Sequence, residues 1–301
     1  MEYQDKSRQC PTLKNIPSAK AVIVSADLNE AKTDKLLKSL TLPPLPSVLA
    51  DFRAAQAKEA DLQTLGQIIG RDIGLAAAVL KVANSPGFAG RTLDSLKDAV
   101  TVLGAANLES IVTSVALKQL LPLPPILHTF WEESGRIGSI ASQAAKTWHL
   151  CRPDQAYLFC LFRDSGIPVL AQRFSSYINT LARAMADPVN FTQIEERSRA
   201  TAHTVVGYLL ARTWFMPEHF AEGVLMHHDF AAIGKHESVS REAARLVSTA
   251  RLAEHLLRAH VLNELDLGWP QAEQAVLGEL GIHPSEMEEF GDELRKGPSL
   301  V

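Results

Sequence analysis

The chain has 301 residues, of which 46% are hydrophobic and 21% are charged, and its formal net charge is −4. This balance is typical of a folded globular protein and lacks the excess of positive charge with which proteins bind nucleic acid or an anionic membrane surface. The three cysteines form no CxxC pair, which argues against a disulfide framework or a zinc knuckle. Without a segment of signal-peptide or membrane-spanning length, we expect a cytoplasmic protein.

The N-terminal 40 residues are predicted to form an arm outside the main fold. Residues 1–20 are polar, residues 21–26 predict one short strand, and residues 28–40 predict a weak helix. The proline-rich segment 42–46 then interrupts regular structure, because proline removes a backbone donor and restricts the residue before it.

Residues 41–121 predict a first lobe of helices. Asp61 and Asp72 can each cap a helix, because a carboxylate at this position accepts a hydrogen bond from a backbone N–H of the first turn. The other boundaries of this lobe are a turn at 84–87, a helix start at Ser95, a break at Gly104 and a helix over 105–121.

Three prolines in 122–125 force an extended connection and separate the first lobe from a second, which we place at 122–265. Residues 266–301 are predicted to form a C-terminal helical extension. Several helices of the second lobe are apolar on more than one face, which indicates a central position in a bundle. We therefore predict an all-α fold, a multi-helical, two-lobed bundle. Helices are predicted at 126–149, 154–172, 175–187, 191–214 with a break near Thr201, 217–229, 238–261, 270–279 and after Pro284.

Histidines near a carboxylate are the most suggestive polar feature. Asp164, His203 and the pair His227-His228 lie on consecutive predicted helices, and inward-facing side chains of a bundle can converge on a metal ion. Adjacent residues of a helix point about 100° apart, so we expect only one of the paired histidines to face such a centre. From spacing alone, histidines that are merely hydrogen-bonded in the core or on the surface are the favoured interpretation. The charged run at 195–197 is interpreted as a solvated helix face.

Four ordered motifs resemble those of HDOD domains and together span roughly residues 41–260. The family patterns are LPxLP, I-x-x-D-P-x-L-x-x-x-V-L-x-x-A-N-S, A-I-x-x-L-G and H-x-x-x-G-x-x-L followed by W-x-x-P and H-H. HDOD domains are relatives of HD-type phosphohydrolases, so the resemblance implies a second lobe built like an HD domain. The matching segments are 42–46, 68–85, 99–104 and 203–210, the last followed by Trp214, Pro217 and His227-His228.

The resemblance also implies that the hydrolytic metal site has been lost. Glu133 stands where the family relatives have their first metal-binding histidine, Arg163-Asp164 replaces the His-Asp pair, and Arg251 stands where the last aspartate would be. Guanidinium groups stay protonated and cannot ligate a metal. We expect no catalytic residue, metal or cofactor, and hypothesise that Arg163 and Arg251 pair with Glu133 and Asp164. The vestigial pocket then comprises Glu133, Arg163, Asp164, His203, His227, His228 and Arg251.

These expectations describe a non-catalytic output or adaptor module in bacterial signal transduction that acts through a regulatory protein partner. The turn containing Asn84, Ser85 and Gly87 is a candidate contact region, although a helix C-cap explains it equally well. One alternative is a metal-dependent phosphohydrolase or cyclic-dinucleotide phosphodiesterase, in which Asp164, His203 and one of the paired histidines hold a single metal ion. Another is a sensor that binds a small molecule or nucleotide without cleaving it.

Overall fold

The computed structural model describes residues 40–85, 92–233 and 239–296, and within these ranges the regular structure is helical without any strand. The predicted all-α class is therefore confirmed. The strand predicted at 21–26 and all but the last residue of the helix predicted at 28–40 lie outside the described residues.

Three of the first four helices begin at the predicted caps, and the first, at 47–56, was not predicted. Asp61 accepts a hydrogen bond from the Thr64 amide at 2.7 Å, and Asp72 accepts one from the Leu75 amide at 2.9 Å. Both predicted caps are confirmed, and each satisfies a backbone donor that has no partner inside its helix. The helices are α1 (Ser47–Gln56), α2 (Leu62–Ile69), α3 (Ile73–Ala83) and α4 (Leu96–Leu120).

Helix α4 is the central element of this part of the molecule. Ser95 caps it, and Gly104 interrupts it with a φ of 72°, a backbone conformation that favours glycine. By length and composition α4 could cross a membrane, yet 56% of its most apolar window is buried. It packs against α1, α2, α3 and α6, so its apolar character is explained by a core position in the bundle.

The second half of the chain adds ten helices within the described residues. A π-helical segment, Leu257–Leu262, continues the eighth of them. The helices are α5 (Phe130–Thr147), α6 (Pro153–Phe162), α7 (Gly166–Arg173), α8 (Tyr177–Ala186), α9 (Phe191–Arg199), α10 (His203–Thr213), α11 (Glu218–Met226), α12 (Arg241–Leu256), α13 (Trp269–Leu280) and α14 (Pro284–Lys296).

Two breaks between helices position the predicted pocket residues Asp164 and His203. The single helix predicted over 154–172 is wrong, because the chain turns at 163–165 and begins α7 at Gly166. Pro168 explains the break, since proline lacks an N–H and is tolerated only in the first turn of a helix. The predicted break near Thr201 is confirmed, with Ala200 in the left-handed conformation at the end of α9.

A close helix crossing brings the two breaks together. A Cβ added at Gly166 would lie 2.0 Å from the carbonyl oxygen of His203, so only glycine permits this approach of α7 to α10. Gly207, one turn further along α10, lies at the same crossing, since a Cβ added there would lie 3.5 Å from the Gly166 amide nitrogen. The crossing places the turn that carries Asp164 beside the first residue of α10.

Candidate functional site: a buried histidine cluster

Four residues from three segments converge in the second half of the chain. Asp164 comes from the turn before α7, His203 begins α10, and His227 and His228 follow the end of α11. One side-chain donor atom from each lies within 4.8 Å of the others. The expectation that only one of the paired histidines faces the centre is wrong, because α11 ends at Met226 and both histidines lie in the following turn.

Three donor atoms form a compact triangle within this cluster. The Nε2 atoms of His203 and His227 are 3.2 Å apart. The Oδ1 atom of Asp164 lies 3.4 Å from the former and 3.1 Å from the latter. His203 and His227 are buried, whereas Asp164 retains 20% of its side-chain exposure.

The outer nitrogens of both histidines are held by oxygen acceptors. His227 Nδ1 lies 2.8 Å from the carbonyl oxygen of Val224, and His203 Nδ1 lies 2.7 Å from Oε2 of Glu195. A carbonyl and a carboxylate only accept hydrogen bonds, so both Nδ1 atoms carry a proton. In the neutral form of each ring, the lone pair of Nε2 then faces Asp164.

Glu195 and Tyr177 are site residues that the sequence did not reveal. Glu195 is fully buried, accepts a second hydrogen bond from the His203 amide at 3.1 Å, and accepts one at Oε1 from the Tyr177 hydroxyl. The interpretation of 195–197 as a solvated face is wrong for Glu195. The run of three charges concealed that α9 turns this side chain inward against α8 and α10, and no local sequence signal distinguishes it from Glu196.

The charges of the cluster depend on one another. Burial alone would lower the pKa of His203, but Glu195 and Asp164 outweigh it and raise that pKa to about 9. Burial lowers the pKa of His227, and it lowers that of His228 further because the other two histidines add to it. Without a metal ion, the cluster therefore holds one imidazolium, at His203, beside two neutral imidazoles.

Arg163 neutralises the opposite side of the Asp164 carboxylate. Its Nε lies 3.1 Å from Oδ2 of Asp164, and its Nη2 donates to Glu254 at 3.0 Å. Burial opposes ionisation of Asp164, but Arg163 and the neighbouring histidines outweigh it and hold the pKa of Asp164 well below its usual range. In the Asp164 carboxylate, Oδ2 therefore faces the guanidinium and Oδ1 faces the two histidines.

The other two predicted members of the pocket lie elsewhere in the ion-pair network. Glu133 is 45% exposed and lies 3.6 Å from Arg258. Arg251 donates to Asp266 at 2.7 Å, in the loop before α13. The hypothesis that Arg251 pairs with Glu133 or Asp164 is wrong, because Asp266, 15 residues further along the chain, offers it a buried carboxylate.

The donors present fit a single transition-metal ion. Tetrahedral ligands at about 2.0–2.1 Å from zinc lie about 3.3 Å from one another, and the triangle has sides of 3.1–3.4 Å. His228 contributes a buried Nε2 without a hydrogen-bond partner among the described residues. Imidazole with carboxylate is a donor set suited to zinc, iron or manganese. Asp164, His203, His227 and His228 would hold the ion.

The turn predicted as a contact region is closed by its own hydrogen bonds. The Asn84 side chain donates to the Leu93 carbonyl at 2.8 Å and accepts from the Leu93 amide at 2.6 Å. Ser85 donates to the Val82 carbonyl at 2.6 Å, and Gly87 lies outside the described residues. Asn84 therefore fixes the ends of the segment 85–92, and a role in partner binding stays a prediction.

Comparison with known proteins agrees with this architecture. A protein from Geobacter sulfurreducens, described as an HDOD domain protein with unknown function, superimposes with a TM-score of 0.65 over 87% of this chain and 93% of its own, at 22% identity. A provisionally named phosphohydrolase of Shewanella amazonensis SB2B gives 0.66 over 88% and 93%, at 21% identity. At these identities the likeness shows a shared fold.

Sequence comparison identifies the family. An uncharacterized protein of Treponema pallidum (strain Nichols) is 24% identical over 240 residues, which are 76% of this chain, and the chain spans 45% of that relative's length. The HDOD domain profile matches residues 42–230, more than half of the chain. The chain belongs to the HDOD family.

Proposed function

We propose that this chain is a non-catalytic signalling module, in which the histidine cluster binds at most one metal ion and performs no hydrolysis. The observation that carries the proposal is the ion pair between Arg163 Nε and Asp164 Oδ2, at 3.1 Å. A two-metal hydrolytic centre clamps the attacking and leaving oxygens between its ions. With Oδ2 paired with Arg163, Asp164 cannot bridge two ions by placing one oxygen on each.

The number of protein donors supports the same proposal. One donor atom from each of four side chains lies within 4.8 Å of the others. Structural metal sites are closed by four protein ligands, whereas catalytic sites keep one position for water or substrate. A metal ion in this cluster would supply positive charge that holds together the turn before α7, the start of α10 and the end of α11. The residues of the cluster orient the donor atoms and exclude water.

A signalling role agrees with the fold neighbours. A protein of Marinobacter aquaeolei VT8 with a provisional signal-transduction name gives a TM-score of 0.64 over 93% of this chain and 66% of its own, at 22% identity. We propose that the module acts by binding a regulatory protein. A pull-down from the native cell with the wild-type chain and with an Asn84→Ala variant would identify that protein and test the turn before Leu93.

Turnover by the metal-loaded protein tests the absence of catalysis. We expect chain loaded with Zn²⁺, Mn²⁺ or Fe²⁺ to hydrolyse bis(p-nitrophenyl) phosphate and cyclic dinucleotides no faster than the same ions in buffer. The control is the His203→Ala variant, which removes a cluster donor. Turnover by the wild type that disappears in this variant would contradict the proposal.

A metal-dependent phosphohydrolase is the second candidate, and the cluster itself favours it. Asp164, His203 and one of the paired histidines would hold the ion, and the other histidine would have to leave a position for water. Arg163→His would restore the histidine-aspartate order of the family relatives. If the parent already turns over as fast as this variant, Arg163 does not block hydrolysis and the second candidate is favoured.

A further inference from the structure

We infer that Glu195, held in place by Tyr177, is the positioning residue of the histidine cluster: it fixes His203 so that Nε2 faces Asp164 and His227 as a metal ligand. The inference deepens the proposed function, since it concerns the same cluster. It adds two residues, Glu195 and Tyr177, that are not themselves metal ligands, and it predicts that metal binding depends on both.

The geometry of Glu195 leaves His203 little freedom. One carboxylate oxygen, Oε2, accepts from both the His203 amide at 3.1 Å and its Nδ1 at 2.7 Å, so the carboxylate grips the backbone and the ring together. The three groups are fully buried, and no water can replace either bond. A histidine ligand whose second nitrogen donates to a carboxylate has both its tautomer and its ring orientation fixed.

Tyr177 completes the chain of hydrogen bonds. Its hydroxyl donates to the other oxygen of Glu195, Oε1, and the ring is fully buried at the start of α8. Burial and the neighbouring Glu195 both raise the pKa of Tyr177, so the hydroxyl keeps the proton it donates. The carboxylate is thus held from both sides, by Tyr177 and by His203.

The arrangement of acceptors indicates what the cluster is built to bind. When both rings are neutral, Nδ1 protonation at His203 and His227 leaves two Nε2 lone pairs facing each other and the Asp164 Oδ1 atom over 3.1–3.4 Å. Three acceptors at such distances repel unless a cation lies between them. A proton at His203 satisfies part of this requirement, and a divalent ion would satisfy all three atoms together with the orphaned Nε2 of His228.

Zinc titration of matched variants tests the inference. Protein stripped with chelator is titrated with Zn²⁺ by isothermal calorimetry. We expect one ion per wild-type chain, an affinity about 10- to 100-fold weaker in Glu195→Gln, and a smaller loss in Tyr177→Phe. The glutamine can turn its NH₂ group toward Nδ1, which favours the opposite tautomer. The matched control is Glu196→Gln, the adjacent and partly exposed acid, which we expect to bind zinc like the wild type.

A second measurement keeps the inference testable if a variant fails to fold. Long-range ¹H–¹⁵N NMR of the zinc-free wild type reports which imidazole nitrogen carries the proton. We expect a protonated Nδ1 at His203, and a change of that signal in Tyr177→Phe. A bare Nδ1 in the wild type, or zinc affinities of the folded Glu195 and Tyr177 variants within twofold of the wild type, would overturn the inference. So would a wild type that binds no zinc, although the non-catalytic proposal would then still stand.

Discussion

Two buried charged clusters of this molecule reach neutrality in different ways. In the first, Oδ2 of Asp164 pairs with Arg163, and Oδ1 faces the Nε2 atoms of His203 and His227. In the second, Asp266 receives N–H donors from Arg251, His255 and the Gly268 backbone, at 2.7–3.2 Å. The hydrogen bonds of Asp266 lie within the second cluster, whereas the four donor atoms of the first could also hold a metal ion.

The difference follows from which residues flank each carboxylate. Arg251 lies beside Trp269, with its guanidinium carbon 5.3 Å from the centre of the indole ring. The His255 ring stacks on the same indole, with the ring centres 4.0 Å apart. This packing holds the arginine on Asp266, and the carboxylate holds the loop before α13 against α12. We conclude that the second cluster serves the fold, while the first is available for binding.

The largest expected effect is the loss of the carboxylate in the second cluster. Asp266→Asn leaves the buried Arg251 charge without its partner, and breaking a buried pair in this way costs about 3–5 kcal/mol. Urea unfolding measures the change. The control is Glu264→Gln, an acid of the same loop that is 56% exposed, for which we expect a change within about 0.5 kcal/mol. Similar small losses in both variants would show that the second cluster contributes little to stability.

Zinc should stabilise the protein through the first cluster, and this added stability should not depend on the second cluster. At a free zinc concentration about 100 times its dissociation constant, linkage gives about 2.7 kcal/mol of added stability. Thermal unfolding with and without zinc measures this increment. We expect His203→Ala to abolish it and His255→Gln, in the second cluster, to retain it. An increment that survives His203→Ala would assign the zinc to another place.

Acid should weaken the second cluster in a defined window. Burial opposes ionisation of Asp266, but its hydrogen bonds with His255 and Arg251 outweigh it and lower its pKa. A lowered folded-state pKa means that the contribution is present above the unfolded value, near pH 4, and is lost as pH falls toward the folded value. The stability difference between wild type and Asp266→Asn should shrink by up to about 1.4 kcal/mol per pH unit below about pH 4. A difference that is constant from pH 5 to pH 3 would contradict the lowered pKa.

The smallest effect concerns the network between the clusters. Glu133 lies beside Arg258, whereas Arg163 bonds with Glu254. A double-mutant cycle of Glu133→Gln with Arg163→Gln should therefore give a coupling within about 0.5 kcal/mol, while Arg163→Gln with Glu254→Gln should give more. Equal couplings would show that Glu133 reaches Arg163 after all.

Local signals in the sequence predicted much of the fold. The caps at Asp61 and Asp72, the kink at Gly104 and the break near Thr201 each depend on a residue and its immediate neighbours. The turn at 163–165 was missed, because the apolar runs on either side of these three polar residues were joined into one helix, although Gly166 and Pro168 mark the new helix start.

The residues of the site could be predicted from the sequence only where the residue type limits the roles that a side chain can have. Asp164 and the histidines were found because few side chains bind metals, but the number facing inward was not, since it depends on where α11 ends. Glu195 and Arg251 were assigned wrongly, because their partners Tyr177 and Asp266 are chosen by helix packing between segments. Hydrogen bonds and ion pairs between different segments of a helical bundle follow no fixed spacing in the sequence.

X-ray absorption of the zinc-loaded chain tests the central claim most directly. The account predicts one zinc per chain with four light-atom protein ligands, three nitrogens and one oxygen, and a spectrum that substrate analogues such as inorganic phosphate leave unchanged. Two zinc ions per chain, or a ligand position exchanged for phosphate, would contradict the account and identify the cluster as a hydrolytic centre.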